Sequence, residues 1–333
     1  MACPHMASLL VGALYRPRLS VLQPCASLRP SQFLCSFISE EHLLRILIKA
    51  IFVFCLVLPL QAGAETAPGP AMWQLKTDTS TITFLGSFHL IPPGLNWHDS
   101  RVATALAEAD EVIFEVDMVA AAAPDFAERL RAAGSLPEGV TLSQILSPAQ
   151  MADVSAICAM LGVPVEGFQG LKPWFAGMLL SIIYMQAMGF DPEAGVETQL
   201  DAAARELGKN IGALETVDDQ LNALMAMDDL SVDEVMEDAT KEFNDANYLP
   251  NMLKYWISGD AAGLDQVILK DMKRFPAVYD ALIVKRNANW IAPIEKMVNA
   301  GGHYFVVVGA GHLVGEDSVI NMLRSKGYAV ERF

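Results

Sequence analysis

Short apolar runs that end in glycine stand near both ends of the chain, and a long stretch of helical spacing lies between them. Residues 72–75 and 81–85 are β-forming runs around the polar turn Asp78-Thr79-Ser80, the pattern of a hairpin. Asp99 or Ser100 can cap a helix running to about Ala109, because Val102, Leu106 and Ala109 fall on one face. Residues 112–116 then read as a strand interrupted only by Glu115. Near the other end, residues 304–308 are continuously apolar, as in a strand covered on both faces. The Gly309-Ala310-Gly311-His312 sequence turns the chain, residues 318–323 are helical, Gly327 stops that helix, and residues 328–333 form a closing strand.

The middle reads as mostly helical. Residues 142–145, 148–161 and 179–188 show helical spacing or good helix formers, and residues 196–207 are amphipathic. Residues 211–214 read as a short strand. Acidic helices follow over 218–227 and 233–244, and helical spacing continues over 253–256, 264–272 and 276–300, up to the stop at Gly301-Gly302. Residues 174–190 hold no charged side chain. They read as a buried helix of a soluble core, with a membrane span as the alternative because the length is just under what a bilayer needs. Each end therefore reads as strand, Gly-x-x-His-Leu, helix, strand. The fold class is α/β: a central mixed sheet formed from both chain ends, with a largely helical insertion over about residues 120–300.

The first 64 residues change the picture of where the protein works. Arg45 and Lys49 precede an apolar run over 50–60, and Ala62-Gly63-Ala64 supplies the small residues of a cleavage site, so about 43–64 reads as a secretory signal. The chain is then secreted or periplasmic, with an uncleaved leader acting as a membrane tether as the alternative. Cys3, Cys25, Cys35 and Cys55 all precede the cut; Cys158 follows it and reads as a packing residue. The formal charge of −16 argues against nucleic acid as a partner, and the leader carries more basic than acidic residues, so its removal makes the remainder more acidic.

Downstream of the signal the histidines are His89, His98, His303 and His312. Two of them stand three residues after a glycine that ends a strand. That glycine lets the backbone turn sharply, and it sets the imidazole at the carboxyl rim of the sheet, where α/β proteins place ligands. Glu115 lies within or just past its strand, and a carboxylate there is costly unless it is paired or bound to metal. Asp117, two residues on, is expected on the same face. His89, Glu115 and His312 make a ligand set able to hold one manganese, cobalt or zinc ion and leave a place for water. Arg286 can clamp a carboxylate or stabilise an oxyanion, or form a plain salt bridge; Glu197 and Glu215 have similar standing. His98 and His303 have no supporting motif and read as surface or structural residues. The chain has no G-x-S-x-G elbow, H-E-x-x-H helix or P-loop, and the spacing after Gly311 does not complete a dinucleotide fingerprint.

These residues carry a resemblance. The sequences Gly86-Ser87-Phe88-His89, Phe114-Glu115-Val116-Asp117, Leu171-Lys172-Pro173-Trp174, Gly195-Val196-Glu197, Leu214-Glu215-Thr216 with Gln220, Lys285-Arg286-Asn287 with Trp290, and residues 306–313 with Gly315 and Gly327-Tyr328 occur in an order that resembles the TraB/GumN family, which includes the PrgY and TIKI proteins. The resemblance covers residues 72–333, as a single domain. It implies an α/β fold like that of the erythromycin esterases and the ChaN-like haem-uptake proteins. It also implies a metal-dependent protease centred on His89, His312 and Glu115, with Arg286 as a helper. Ser87 stands where many relatives carry Thr, and Glu197 where Asp is more usual.

The function this supports is hydrolysis of a peptide, amide or ester bond in the cell envelope, on a peptide or small-molecule substrate. Glu115 or Glu197 would serve as base and Arg286 would stabilise the developing charge. Two alternatives stand beside it. One is a non-catalytic envelope protein that binds haem or a sugar acid; the other is a metal-free hydrolase that uses a His/Glu pair, as in the esterase relatives.

Overall fold

The computed structural model describes residues 69–333; the leader, its signal and the four cysteines before residue 64 lie outside the described residues. The hairpin near the start forms as its spacing predicts: β1 (Met72–Lys76) pairs antiparallel with β2 (Ser80–Ser87), Met72 opposite Leu85. Three further strands run parallel to β2. These are β3 (Glu111–Phe114), β4 (Asn210–Ala213) and β5 (Gly302–Gly309), and β6 (Val330–Arg332) closes the far edge against β1. The strand order is β4-β3-β5-β2-β1-β6, one mixed six-stranded sheet in an α/β chain. Both chain ends supply the sheet, as expected. The short strand expected over 211–214 forms as β4 and takes the opposite edge of this sheet, from within the helical middle of the chain.

The longer helices are α1 (Ser100–Glu108), α2 (Pro124–Ala133), α3 (Pro148–Leu161), α4 (Pro173–Ala187), α5 (Val196–Glu206), α6 (Val217–Met225), α7 (Val232–Asn244), α8 (Tyr248–Ile257), α9 (Lys285–Ala300) and α10 (Val319–Ser325). Local chemistry sets several of their starts. The Asp99 carboxylate accepts from the backbone of Arg101 and Val102 at the head of α1. Ser147 and Gln150 form a reciprocal capping box at α3, and Pro173 occupies the first turn of α4. The uncharged stretch is a buried helix: Trp174, Phe175, Leu179, Leu180 and Ile182 of α4 lie in the interior. Among the described residues no helix is long and apolar enough to cross a membrane. Cys158 is buried and unpaired.

The core sits on β5. Phe305, Val306, Val307 and Val308 are each no more than 1% exposed, which matches a strand covered on both faces. Each such burial is worth about 1.5–3 kcal/mol. This rigid centre fixes the carboxyl ends of the parallel strands, from which the polar side chains project.

The expected strand over 112–116 ends at Phe114, which places Glu115 just past it, one of the two positions its sequence allowed. One expectation needs correction. Asp117 does not share the face of Glu115: its carboxylate caps the short helix Met118–Ala121 by accepting from Val119 and Ala120. The local gain from capping a helix outweighs the two-residue alternation once the strand has ended.

Candidate active site at the rim of the sheet

Four parallel strands deliver four polar side chains to one rim. Glu215 follows β4, Glu115 follows β3, His312 follows β5 and His89 follows β2, in the spatial order of the strands. Strands β2 and β5 are direct neighbours with Ser87 opposite Gly309, so the two Gly-x-x-His turns leave the sheet side by side. A Cβ on Gly86 would come within 3.0 Å of the Ala310 Cα, so the side-chain-free residue is what lets these turns approach.

On the His312 side the side chains are locked together. Arg286, near the start of α9, donates to Glu115 Oε2 at 2.7 Å and to both oxygens of Glu215. It also donates to His312 Nε2 at 3.0 Å and to the Leu282 carbonyl at 3.4 Å. These contacts occupy all its N–H groups. Glu115 Oε1 accepts from the Gly309 backbone at 2.7 Å. A glycine at 309 leaves that approach free, since a Cβ there would stand 3.1 Å from the same oxygen and press the carboxylate back. Trp290 donates to Glu215 at 2.9 Å and lies under both the Arg286 guanidinium and the His312 ring.

Asn287 fixes the tautomer of His312. Its Nδ2 donates to the Asp317 carbonyl at 2.7 Å and to the His312 carbonyl at 3.5 Å, so its Oδ1 must accept. Oδ1 lies 2.6 Å from His312 Nδ1, which therefore carries the proton, while Nε2 accepts from Arg286. Burial and then the adjacent guanidinium hold His312 neutral, with its pKa lowered to about 3. Burial alone would raise the Glu115 pKa; Arg286 first, with His89 and the Gly309 N–H, outweighs it and holds this carboxyl well below its usual range. Burial pushes Glu215 upward, and Glu115 adds to this while Arg286 and Trp290 oppose it.

The His89 side is more open. Helix α5 begins against this turn: the Val196 N–H donates to the Phe88 carbonyl at 3.1 Å, and a Cβ on Gly195 would land on the His89 carbonyl. This contact carries Glu197 to the imidazole, with Nδ1 2.8 Å from Glu197 Oε1. The approach is off the hydrogen-bond axis, so it is an ion-pair contact first and a directional bond second. Ser87 donates its hydroxyl to the same oxygen. Burial disfavours a charged His89, but Glu197 and then Glu115 outweigh it and raise the pKa above the ordinary value. Trp256 braces the turn by stacking on Phe88 and donating to the Gly86 carbonyl at 2.8 Å.

His89, Glu115, Glu197 and Gln220 border one small pocket. A second lies across Glu115, beside His312 and Arg286, walled by Met272, Leu282 and Ile283. Thus His89, Glu115, Glu197, Arg286 and His312, expected from the sequence to carry the chemistry, all reach this rim, while His98 and His303 are exposed elsewhere.

The three residues expected to ligate metal do not fit a shared ion in this arrangement. Both ring nitrogens of His312 are committed, one of them to a cation. Both Glu115 oxygens already accept hydrogen bonds. Among the described residues no group of three or more His, Cys, Asp or Glu side chains is placed to hold a metal ion.

Sequence reasoning undervalued Glu215 and did not assign roles to Asn287, Gln220 or Trp256. A signal for two of these was present. Gln220 precedes buried Leu224 by one helical turn in α6, and Asn287 stands three, four and seven residues before Trp290, Ile291 and Ile294 in α9. Both amides thus sit on apolar faces, where a polar group needs a partner.

The family model for the TraB/PrgY/gumN family matches residues 71–332. The chain is also similar to the protein named "Uncharacterized protein YbaP" of Escherichia coli strain K12, at 27% identity over 240 residues, 72% of this chain and 86% of that protein. The YbaP protein of Shigella flexneri matches with the same identity and coverage. No solved structure matches.

Proposed function

Because the chain belongs to the TraB/PrgY/gumN family, we propose that it is a hydrolase of peptide, amide or ester bonds in the cell envelope, with His89 and Glu197 as its acid–base pair. The observation that carries this reading is the contact of a partly exposed imidazole with a buried carboxylate inside a pocket at the carboxyl rim of the sheet. Glu197, next to the pocket, accepts a proton from water as the water oxygen forms its bond to the substrate carbonyl carbon. His89, biased toward its charged form by Glu197 and Glu115, gives its proton to the departing nitrogen or oxygen as the old bond breaks. His89 Nε2 suits that step, since it has no protein partner among the described residues.

Arg286 and His312 hold positions in this scheme. Arg286 has no spare donor for a substrate oxyanion, so its charge acts through Glu115 and Glu215. A screen of the purified chain on peptide and ester substrates tests the reading: His89→Gln and Glu197→Gln should each lower turnover at least ~100-fold while the chain stays folded. Binding of a small ligand with no turnover would favour the envelope carrier instead.

Charge balance favours a metal as the second reading. Glu115 and Glu197 are buried, and the Glu215 side chain is only 5% exposed, with one guanidinium beside them, so the site accommodates further positive charge. Protonated His89 supplies one; a manganese, cobalt or zinc ion is the other source, and it requires His312 to give up Arg286. Activity lost on chelation and restored with about one metal ion per chain would establish that reading.

A further inference from the structure

Two buried acceptors at the site lack a donor. Gln220 Oε1 and Glu197 Oε2 have no hydrogen-bond partner, although both residues are only 3% exposed. Both residues border the His89 pocket, and an acceptor buried there without a donor is costly. Gln220 cannot relieve this by turning its amide over. Its Nε2 faces Glu115 Oε2 at 3.5 Å, and a flip would set the amide oxygen against a carboxylate oxygen that already accepts from Arg286. Glu115 therefore fixes the amide with its carbonyl oxygen left over.

The space beside these acceptors is small, enough for about one water molecule. Water has two hydrogens to give, and Glu197 and Gln220 each offer one unfilled acceptor. From this match we propose that Gln220 is a positioning residue for the hydrolytic water, holding it jointly with Glu197 beside His89. The proposal rests on the acid–base reading of His89 and Glu197 and adds the seat of the nucleophile. Glu197 Oε2 is then the atom that takes the proton as the water oxygen bonds to the carbonyl carbon. Gln220 Oε1 holds the other hydrogen and neither gains nor loses a proton. Glu115, which the site otherwise uses to anchor Arg286, acts on the reaction through the amide that it orients.

Two measurements test this. A crystal structure of the full chain, grown without added metal, should show one water within about 2.7–3.2 Å of both Glu197 Oε2 and Gln220 Oε1. An empty seat, or a manganese ion bound there after soaking in manganese chloride, overturns the proposal. In turnover of p-nitrophenyl acetate or a peptide from the screen, Gln220→Met should lower kcat about 100-fold with KM within about threefold, and Gln220→Asn should fall between the two chains. A structural role alone would lower the folded fraction and leave kcat per folded molecule unchanged, which also overturns it. If Gln220→Met keeps full kcat while His89→Gln is inactive, the water seat fails and the acid–base pair survives. If the wild-type chain turns over no substrate, or His89→Gln keeps full activity, the reading beneath the proposal fails as well.

Discussion

The two Gly-x-x-His turns leave neighbouring strands in matching register, yet their imidazoles live in opposite surroundings. His312 has both ring nitrogens hydrogen-bonded and is held neutral beside a guanidinium. His89 leans on one carboxylate, stands partly exposed and is biased toward its charged form. The sequence motif sets where each ring leaves the sheet; what faces it from α9 or α5 decides what it can do. Saturated hydrogen bonding makes one turn a fixed point, and unfilled acceptors make the other a place where a reactant can enter.

The largest effect is expected on the saturated side. Arg286→Met leaves Glu115 and Glu215 buried without their cation, which should cost about 3–5 kcal/mol in urea unfolding. A loss below about 1 kcal/mol would show that the network contributes little.

The pH dependence of stability separates the two rings. Between the ordinary value of 6.5 and about 3, unfolded chain protonates at residue 312 while folded chain does not, so stability falls as pH falls. The slope from this one group is about 1.4 kcal/mol per pH unit, and His312→Gln should remove it. Glu115, whose pKa is lowered on folding from 4.5, adds an acid limb of the same sign at lower pH. His89 acts in the other direction. Its contribution is full below 6.5 and is lost as pH rises through its raised folded value, so His89→Gln should flatten the alkaline limb.

A smaller effect is expected from Gly195→Ala. The new methyl group would meet the His89 carbonyl and push α5 away from the turn, at a cost of about 1–3 kcal/mol, and the His89 pKa should fall with the loss of its carboxylate contact. The smallest is Glu197→Gln. The neutral amide keeps the shape of the side chain and should shift stability by about 1 kcal/mol or less. It should still lower the His89 pKa, as read by NMR titration. An unmoved His89 pKa would show that the ion-pair contact carries no weight.

Much of this fold was legible because its signals are local. The continuous apolar run before Gly309 marked the central strand, and the glycines marked both turns. Glu115 stood out as a charge among strand-forming residues. The division of labour at the rim was not legible. Arg286 meets Glu215 across 71 positions and Glu115 across 171, so only the folded sheet shows that its donors are all taken. The neutral amides Asn287 and Gln220 resemble ordinary surface residues until their helical faces are aligned with buried leucine, isoleucine and tryptophan. The π-helical turn Asp280–Val284, which feeds α9 just before Arg286, has no marker in the sequence.

The contrast between the rings is open to one direct measurement: nitrogen-detected NMR titration of the histidine side chains in the full chain, assigned with His89→Gln and His312→Gln. His312 should remain the neutral Nδ1–H tautomer from neutral pH down to the acid limit of the fold, while His89 takes its proton at a pH above the ordinary 6.5. A His312 that titrates near 6.5, or two rings that lose their protons together, would contradict the assignment of one turn to structure and the other to chemistry.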